Sequence, residues 1–289
     1  MPPKVKRTKK VTLRGQWLGK RLRELREEQG FTLEYVAEFM QRANGTISRF
    51  ETGVYPIRRP DVLALLDLYG VSEERERDNL LKLSESVWQT GWWEGYTNDV
   101  VDWLIDFVWL EEMAVEHWLF QSTVIPGILQ TEAYAREIMA IANPEASEEQ
   151  MERWVELRIA RQALLRRENP PSLRVVLDES VLRRRVGSTR MMRAQFRELG
   201  KMAEQDHVDI RVITYDAGVL TALSTGSFAI YRMEDPYPEV GYVETPRGAL
   251  YIETPDCDPM VEMYDQLWEV SLSAEESAAF ITTLSEDLK

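Results

Sequence analysis

Cysteine and histidine are nearly missing from this chain of 289 residues, which has one cysteine, Cys257, and two histidines, His117 and His207. A single cysteine excludes an internal disulfide and any metal site built from a cluster of cysteines. The two histidines lie in different sections, without a second ligand at helical spacing, so they do not indicate a metal site. No glycine-rich phosphate loop is present either. We therefore expect a protein without metal, cofactor or catalytic residues.

Long apolar runs are also missing, since no window approaches the ~18 consecutive apolar residues that a membrane span needs. The first ten residues, MPPKVKRTKK, are basic, but no apolar segment follows them as it would in a secretory signal. With the scarcity of cysteine, these features favour a protein of the cytoplasm that makes no membrane contact.

Charge is distributed unevenly along the chain, whose formal net charge is −14. Residues 1–60 contain 14 Lys and Arg against 6 Asp and Glu, a net of +8, whereas the remainder has a net of −22. A strongly acidic protein is repelled by DNA, but this objection does not apply to the basic N-terminal segment. Its first part, residues 1–13, indicates a flexible basic arm that contacts the DNA backbone.

Apolar residues at helical spacing predict five short helices between residues 14 and 86. The expected segments are residues 14–30, residues 32–40, residues 43–53, a helix from Pro60 to Gly70, and a helix starting at Ser72. Thr32 is expected to cap the second helix, and Gly53 is expected to end the third.

The second and third helices have the spacing of a helix-turn-helix. An apolar set is expected to hold their crossing: Val36, Ala37, Met40, Ile47 and Phe50. The stretch ANGTISRFETG then turns polar residues outward: Asn44, Gly45, Thr46, Ser48 and Arg49. Asparagine can bond adenine, and arginine guanine, through two atoms each, while the two hydroxyls suit phosphate. A plain helical packing unit with a polar, solvated face remains an alternative, because helix-rich segments often have this spacing.

Three stretches resemble the Xre-type, lambda-repressor-like DNA-binding domain within residues 18–70: LGKRLRELREEQGFTLEYVAEFM, TISRFETG and PDVLALLDLYGV. The resemblance implies a five-helix domain over residues 14–86 whose third helix enters the major groove. Carried over by position, the base-reading residues are Asn44, Gly45 and Arg49. Contacts to the DNA backbone are expected from Thr32, Arg42, Thr46, Ser48, Arg58 and Arg59. The sequence departs from the family at the turn, where glycine followed by an apolar residue is usual and this chain has Gln41 and Arg42. A non-glycine residue with positive φ costs on the order of 1 kcal/mol.

Residues 87–170 are rich in tryptophan, and six of the nine in the chain lie between residues 88 and 118: Trp88, Trp92, Trp93, Trp103, Trp109 and Trp118. Such density is typical of a core or a buried interface, and less often of a ligand cage or a partner surface. We expect a helical middle section in which residues 99–118 form an amphipathic helix that carries His117.

From Pro171 the apolar pattern changes to that of strands. The predicted strands are SLRVVL, VDIRVIT, GSFAIYRM, EVGYVET and ALYIET. Helices are expected at residues 178–186, 189–204, 258–270 and 274–287. In the section before residue 171, a capping box at Ser147–Gln150 predicts the start of a long helix that ends near Glu168. Residues 171–289 are therefore predicted to be an α+β domain with a small mixed sheet, joined to a mainly α-helical remainder.

Six stretches in order resemble the C-terminal domain of the actinobacterial WhiJ-like regulators, also called Scr-like antitoxin-type regulators: GWW, VIPGILQTEAYAR, RIARQALL, LDESVLRRRVG, MRAQFREL and SFAIYRM. This resemblance implies an actinobacterial transcription factor, often encoded beside a small protein with which it works. No catalytic residues are established for that domain, so none are carried over.

We expect a sequence-specific transcription regulator, acting as a repressor, in which residues 1–86 bind double-stranded DNA in the nucleoid. Residues 87–289 are expected to act as one unit that forms a homodimer on a palindromic operator and responds to a small partner protein or a ligand. Two alternatives stay open. One is an antitoxin-like module that sequesters a neighbour-encoded small protein; the other is an enzyme with a DNA-binding appendage, for which the sequence offers no site chemistry.

Overall fold

The chain folds into two compact units in the computed structural model, which describes residues 11–218 and 225–288. The first unit contains the residues up to Glu94 together with Asp235–Tyr237, and the second contains the remainder from Gly95 onward.

The first unit is helical. Its helices are α1 (Leu13–Glu28), α2 (Leu33–Phe39), α3 (Asn44–Glu51), α4 (Arg59–Leu68) and α5 (Glu74–Ser86). Thr12 caps α1 by accepting a hydrogen bond from the Gly15 N–H at 3.2 Å, so this helix begins inside the segment 1–13 that was expected to be an arm. Residues 1–10 of that arm lie outside the described residues.

The core of the first unit lies between α1, α4 and α5. Its buried side chains include Trp17, Leu18, Leu22, Leu65, Leu66 and Tyr69. Arg14 of α1 is buried as well and donates a hydrogen bond to the Ser86 carbonyl at the end of α5. Helix α5 begins at Glu74 rather than at the predicted Ser72, and no side chain caps it.

The second unit combines helices with a sheet. Its helices are α6 (Asp102–Met113), α7 (Glu132–Ala142), α8 (Glu148–Arg161), α9 (Glu179–Arg183), α10 (Thr189–Ala203), α11 (Asp258–Val270) and α12 (Ala274–Asp287). Its strands are β1 (Glu116–Gln121), β2 (Ser172–Asp178), β3 (Val208–Ile213), β4 (Phe228–Arg232), β5 (Val240–Thr245) and β6 (Gly248–Glu253). All five strands predicted after residue 170 are present.

The sheet has six strands in the order β3-β2-β1-β4-β5-β6. Strands β1, β2 and β3 are parallel, and α7 to α10 lie in the crossovers between them. Strand β4 pairs antiparallel with β1, and β5 and β6 continue as an antiparallel meander. The sheet is therefore mixed, as predicted, and its connectivity reverses at the boundary between β1 and β4.

Strand β1 is the main correction to the sequence prediction. Residues 99–118 do not form one amphipathic helix, since α6 ends at Met113 and β1 begins at Glu116. The four central residues of the strand, 117–120, are all buried, so the apolar–polar alternation of a surface strand is missing. The section 87–170 thus contributes a central strand and is not purely helical.

One face of the sheet packs on α11. Phe120, Phe228 and Ile230 form a core with Tyr264 of α11, whose ring stacks on Trp118 at a centroid distance of 5.2 Å. This contact buries the aromatic residues of β1 and β4 on the side of the sheet that α11 covers.

His117 points to the opposite face and lies on β1, not on a helix as expected. Its side chain is fully buried, Nε2 bonds the Glu111 carbonyl at 3.0 Å, and the ring lies 5.0 Å from the Tyr231 ring. Burial lowers the pKa of His117 to about 4, so its imidazole is neutral at pH 7.

The tryptophan-rich section divides between core and surface. Trp93, Trp109 and Trp118 are buried, whereas Trp88 and Trp92 are 40% and 39% exposed. Of these five tryptophans, the three buried ones serve the core, and the two exposed ones do not.

Two absences hold for residues 11–218 and 225–288. No helix in these ranges has both the length and the apolar character needed to cross a bilayer. No group of three or more His, Cys, Asp or Glu side chains in them is arranged to hold a metal ion.

Candidate nucleic-acid interface

Helices α2 and α3 cross around a small apolar core. Val36 and Ala37 of α2, with Ile47 and Phe50 of α3, are each at most 8% exposed. Met40 differs from the expectation, because it is the C-cap of α2 and its side chain is only half-buried. A residue at the helix end no longer follows the buried face, so the crossing is held by the other four residues.

The turn between these helices is a Schellman motif with Gln41 in the left-handed position. Gln41 has a φ of 52° and is the only non-glycine residue with positive φ in the described part of the chain. Its N–H donates to the Glu38 carbonyl at 3.0 Å, and the Arg42 N–H donates to the Ala37 carbonyl at 2.9 Å. The turn therefore forms without glycine, at a cost of about 1 kcal/mol.

A buried ion pair that the sequence analysis does not identify joins α3 to α1. Arg26 Nε and Nη2 donate to the two Glu51 carboxylate oxygens at 2.7 and 3.0 Å. Arg26 Nη1 donates to the Phe31 carbonyl at 2.7 Å. The hydrogen bond to Glu51 raises the pKa of Arg26, so the pair stays charged. Because a forked pair has one preferred geometry, it fixes the rotation of α3 about its axis.

The same two helices approach closely at Gly19 of α1. A Cβ atom at this position would lie 2.5 Å from the Phe50 carbonyl oxygen and 2.6 Å from the Glu51 carbonyl oxygen. Any larger residue would push α3 away, so the missing side chain sets the distance between α1 and α3.

The residues expected to read bases are exposed on α3: Asn44, Gly45 and Arg49. The two hydroxyl residues expected at the DNA backbone, Thr46 and Ser48, are half-buried. The N-cap of α3 is Ala43, which makes no side-chain hydrogen bond. The Thr46 N–H donates to the Ala43 carbonyl at 2.7 Å, so the backbone N–H groups of α3 that can bind an anion are those of Asn44 and Gly45.

Tyr55 is an exposed neighbour of Arg49 that the sequence analysis does not identify. Arg49 Nη1 lies 3.3 Å from the Tyr55 hydroxyl, and its Cζ lies 5.1 Å from the ring centroid. Stacking on an aromatic ring restricts the rotamers of an arginine and leaves its other donors available. Tyr55 comes after the end of α3, so helical periodicity does not link it to Arg49.

The other residues expected at the DNA backbone are also exposed: Thr32, Arg42, Arg58 and Arg59. Thr32 Oγ1 accepts the Tyr35 N–H at 3.1 Å as the cap of α2, which leaves its hydroxyl hydrogen free to donate. Arg58 stacks over Trp88, with its Cζ 5.2 Å from the ring centroid.

Two of these arginines face carboxylates. Arg42 Nη2 lies 3.7 Å from an Asp61 oxygen, and Arg59 Nη1 lies 2.6 Å from a Glu85 oxygen. Exposed ion pairs are worth at most about 1 kcal/mol, so a phosphate can replace either carboxylate. Asp61 and Glu85 lower the net positive potential around these two arginines.

Comparison with protein families gives a separate match for each unit. Residues 17–80, from α1 into α5, match the model of a helix-turn-helix domain. Residues 104–283, from α6 into α12, match a domain of unknown function (DUF5753). No curated protein and no solved structure matches the chain. Because the second match spans more than half of the 289 residues, the chain belongs to the family of proteins that share the domain of unknown function DUF5753.

Proposed function

We propose that this chain is a sequence-specific DNA-binding transcription regulator of the Xre type. The observation that carries the proposal is the division of α3 into two sides. Asn44, Gly45 and Arg49 are exposed, whereas Ile47 and Phe50 are held in the core. A second helix of a helix-turn-helix with this division can lie in the major groove with its polar side on the base edges.

The exposed residues have distinct roles in this proposal. Asn44 bonds adenine and Arg49 bonds guanine, each through two atoms. Gly45 lets the backbone of α3 approach the DNA, because it has no side chain and the space beside its Cα is open. Thr46, Ser48 and the uncapped N–H groups of α3 hold phosphates.

We propose that the chain binds a palindromic operator as a homodimer. One helix-turn-helix domain reads only a few base pairs, which is too little for specificity in a genome. Two copies related by a two-fold axis read half-sites about one helical turn, ~34 Å, apart. The second unit, residues 95–234 and 238–289, has a net charge of −16 and is repelled by DNA, which supports it as the part that dimerises.

We further propose that the regulator represses its targets in the cytoplasm, on the nucleoid, and that it acts by binding rather than by catalysis. Repression needs only occupancy of the operator, whereas activation needs a second surface for the polymerase. The resemblance to WhiJ-like regulators supports an input from a small neighbour-encoded protein or a ligand. The alternative function is an antitoxin-like module whose main act is to sequester that small protein.

Selection of bound duplexes from a random DNA library by the full-length chain tests the proposal. We expect enrichment of an inverted repeat, and no enrichment with the double variant Asn44→Ala, Arg49→Ala. If the wild-type chain enriches no sequence but binds the neighbour-encoded protein tightly, the regulator proposal is wrong and the antitoxin-like function replaces it.

A further inference from the structure

The second unit contains a partly enclosed cavity of about 660 Å³. Strands β1, β4 and β5 form one wall through Leu119, Tyr231 and Tyr242, and α6 and α8 contribute Phe107 and Arg158. This volume lies within the roughly 300–1,000 Å³ that small-molecule sites occupy. All the residues that line it belong to the second unit.

The cavity lies where the connectivity of the sheet reverses. Parallel strands continue from β1 to β2 on one side, and the antiparallel strand β4 pairs with β1 on the other. The segment Thr123–Gly127, which follows the carboxyl end of β1, lines the cavity.

Two arginines on α8 line the cavity and differ in their partners. Arg161 is buried and forms a forked ion pair with Glu111, with N···O distances of 2.6 and 2.9 Å. Arg158 is half-buried, and within the described ranges no carboxylate lies within ion-pair distance of it. Its Nη1 donates to Gln130 Oε1 at 2.8 Å, whereas its Nε is buried without a hydrogen-bond partner in the same ranges.

The residues around Arg158 hold its guanidinium in a position that favours a bound anion. Gln130 is oriented by its own donation to the Ile125 carbonyl at 2.7 Å, so it holds one side of the guanidinium in place. Burial, followed by the charge of Arg161, lowers the pKa of Arg158 to about 10, which leaves it protonated at pH 7. A protonated guanidinium with an unbonded N–H is stabilised when a carboxylate pairs with it.

The rest of the wall is suited to an apolar group. The Phe107 ring lies 4.5 Å from the Tyr242 ring and 5.9 Å from the Tyr231 ring. Burial raises the pKa of both tyrosines, so their rings are neutral at pH 7. With Leu119, these rings form an uncharged surface that favours an aromatic or aliphatic body.

The charged residues that line the cavity limit the net negative charge of a ligand that can bind there. Arg158 and Arg161 are balanced by Glu111 and Glu244, the two carboxylates that line the cavity. Glu111 forms an ion pair with Arg161, whereas Glu244 lines the cavity and is exposed. A ligand with one negative charge can pair with Arg158. The second charge of a phosphate dianion would find no further unpaired arginine in the described lining, because Arg161 already pairs with Glu111.

We propose that this cavity binds a small organic carboxylate with an aromatic or apolar body, whose carboxylate pairs with Arg158. The binding itself does not depend on DNA recognition. Its regulatory meaning, that the carboxylate is the effector of the regulator, rests on the proposed function.

Calorimetric titration of the full-length chain, without DNA, tests the binding. The probes are benzoate, phenylacetate and indoleacetate, each compared with its neutral amide. We expect at least one carboxylate to bind about tenfold or more tightly than its amide, because only the carboxylate pairs with the guanidinium. We expect Arg158→Gln to remove this preference and Arg158→Lys to retain part of it, since lysine keeps the charge and loses the fork.

The matched control is Arg166→Gln, which removes an exposed arginine that follows α8 and does not line the cavity. It should keep the preference of the wild-type chain. Three results would overturn the proposal. One is equal binding of each carboxylate and its amide, and another is a preference of wild-type strength in folded Arg158→Gln or Arg158→Lys. The third is that no carboxylate binds with a Kd below about 10 mM. Because the titration contains no DNA, its result tests ligand binding alone. The selection of operator DNA tests the proposed function independently.

Discussion

The Arg49 guanidinium lies over the Tyr55 ring at 5.1 Å and donates to the Tyr55 hydroxyl at 3.3 Å. Both residues are exposed, so this contact does not serve the core. It restricts a long side chain at the place where the proposed base contact occurs, which lowers the entropy that the side chain loses on binding.

Arg49→Ala should remove the discrimination between the operator and a scrambled duplex. A two-atom contact to guanine carries about 1–3 kcal/mol of discrimination, so the ratio of the two affinities should fall by roughly 5- to 150-fold. Fluorescence anisotropy on both duplexes measures the ratio. The matched control is Arg23→Ala, which removes an exposed arginine from α1 and should keep the ratio. An unchanged ratio in Arg49→Ala would show that this residue does not read the operator.

Tyr55→Ala should weaken operator binding less than Arg49→Ala does. An exposed contact between a cation and a ring is worth about 0.5–1 kcal/mol. Tyr55→Phe keeps the ring and should bind within about twofold of the wild type. A Tyr55→Ala variant with wild-type affinity in the same anisotropy assay would mean that the stack does not position Arg49.

Removal of residues 2–10 should lower affinity on every duplex alike and reduce its dependence on salt. The segment contains five basic residues: Lys4, Lys6, Arg7, Lys9 and Lys10. Each phosphate contact contributes about 0.9 to the magnitude of the slope of log affinity against log salt, so the magnitude should decrease by up to about 4.5. Replacing the five residues by glutamine, at unchanged length, should have the same effect. A slope equal to that of the wild type would exclude a role for the arm in binding.

Gln41→Gly should increase the free energy of unfolding of the first unit by about 1 kcal/mol, because glycine adopts a positive φ without strain. The matched control is Gln29→Gly at the C-cap of α1, where φ is −83° and no strain exists to relieve. The control should leave stability unchanged or lower it. Urea unfolding of the full-length variants measures both effects. Equal effects of the two substitutions would mean that the turn at φ 52° stores no strain.

His117 should make the second unit less stable in acid. Its pKa in the folded chain is about 4, below the ordinary 6.5, so the unfolded chain binds more protons between these values. The contribution of His117 is present above pH 6.5 and is lost as the pH falls towards 4. The full effect is on the order of 3 kcal/mol. Unfolding measured from pH 7 to pH 4 should show a shallower dependence for His117→Gln. A slope in His117→Gln equal to that of the wild type would contradict the prediction.

The full-length chain should sediment as a dimer, with twice the 33.6 kDa of one chain. A chain that starts at Gly95 and lacks the first unit should remain dimeric, whereas residues 11–94 should be monomeric. Sedimentation equilibrium over a range of concentrations compares the three. A dimeric first unit beside a monomeric second unit would reverse the proposed roles.

Local patterns in the sequence determined most of the helices and strands. The capping box at Ser147–Gln150 begins α8, and helices predicted near residues 258–270 and 274–287 have those bounds in the structure. Caps and apolar periods depend on residues that are neighbours along the chain, so they can be recognised without knowing the fold. The same holds for the polar side of α3.

Residues 116–121 form a strand because of tertiary pairing and not because of a local pattern. They follow the apolar helix α6 after only Ala114 and Val115, and both faces of β1 are buried. A strand that is covered on both sides has no alternation, so its pattern does not differ from that of a buried helix. Pairing with β2 and β4, which lie far along the chain, gives β1 its conformation.

The tertiary structure also decided what the charged residues do. Arg158 and Arg161 lie one turn apart on α8, yet Arg161 pairs with Glu111 and Arg158 faces the cavity. Similarly, Arg26 meets Glu51 from another helix. The sequence determined that these side chains are basic and helical. Which of them has a carboxylate partner depends on how distant segments pack, because the energy of a charge is set by the groups around it in space and not by its neighbours in sequence.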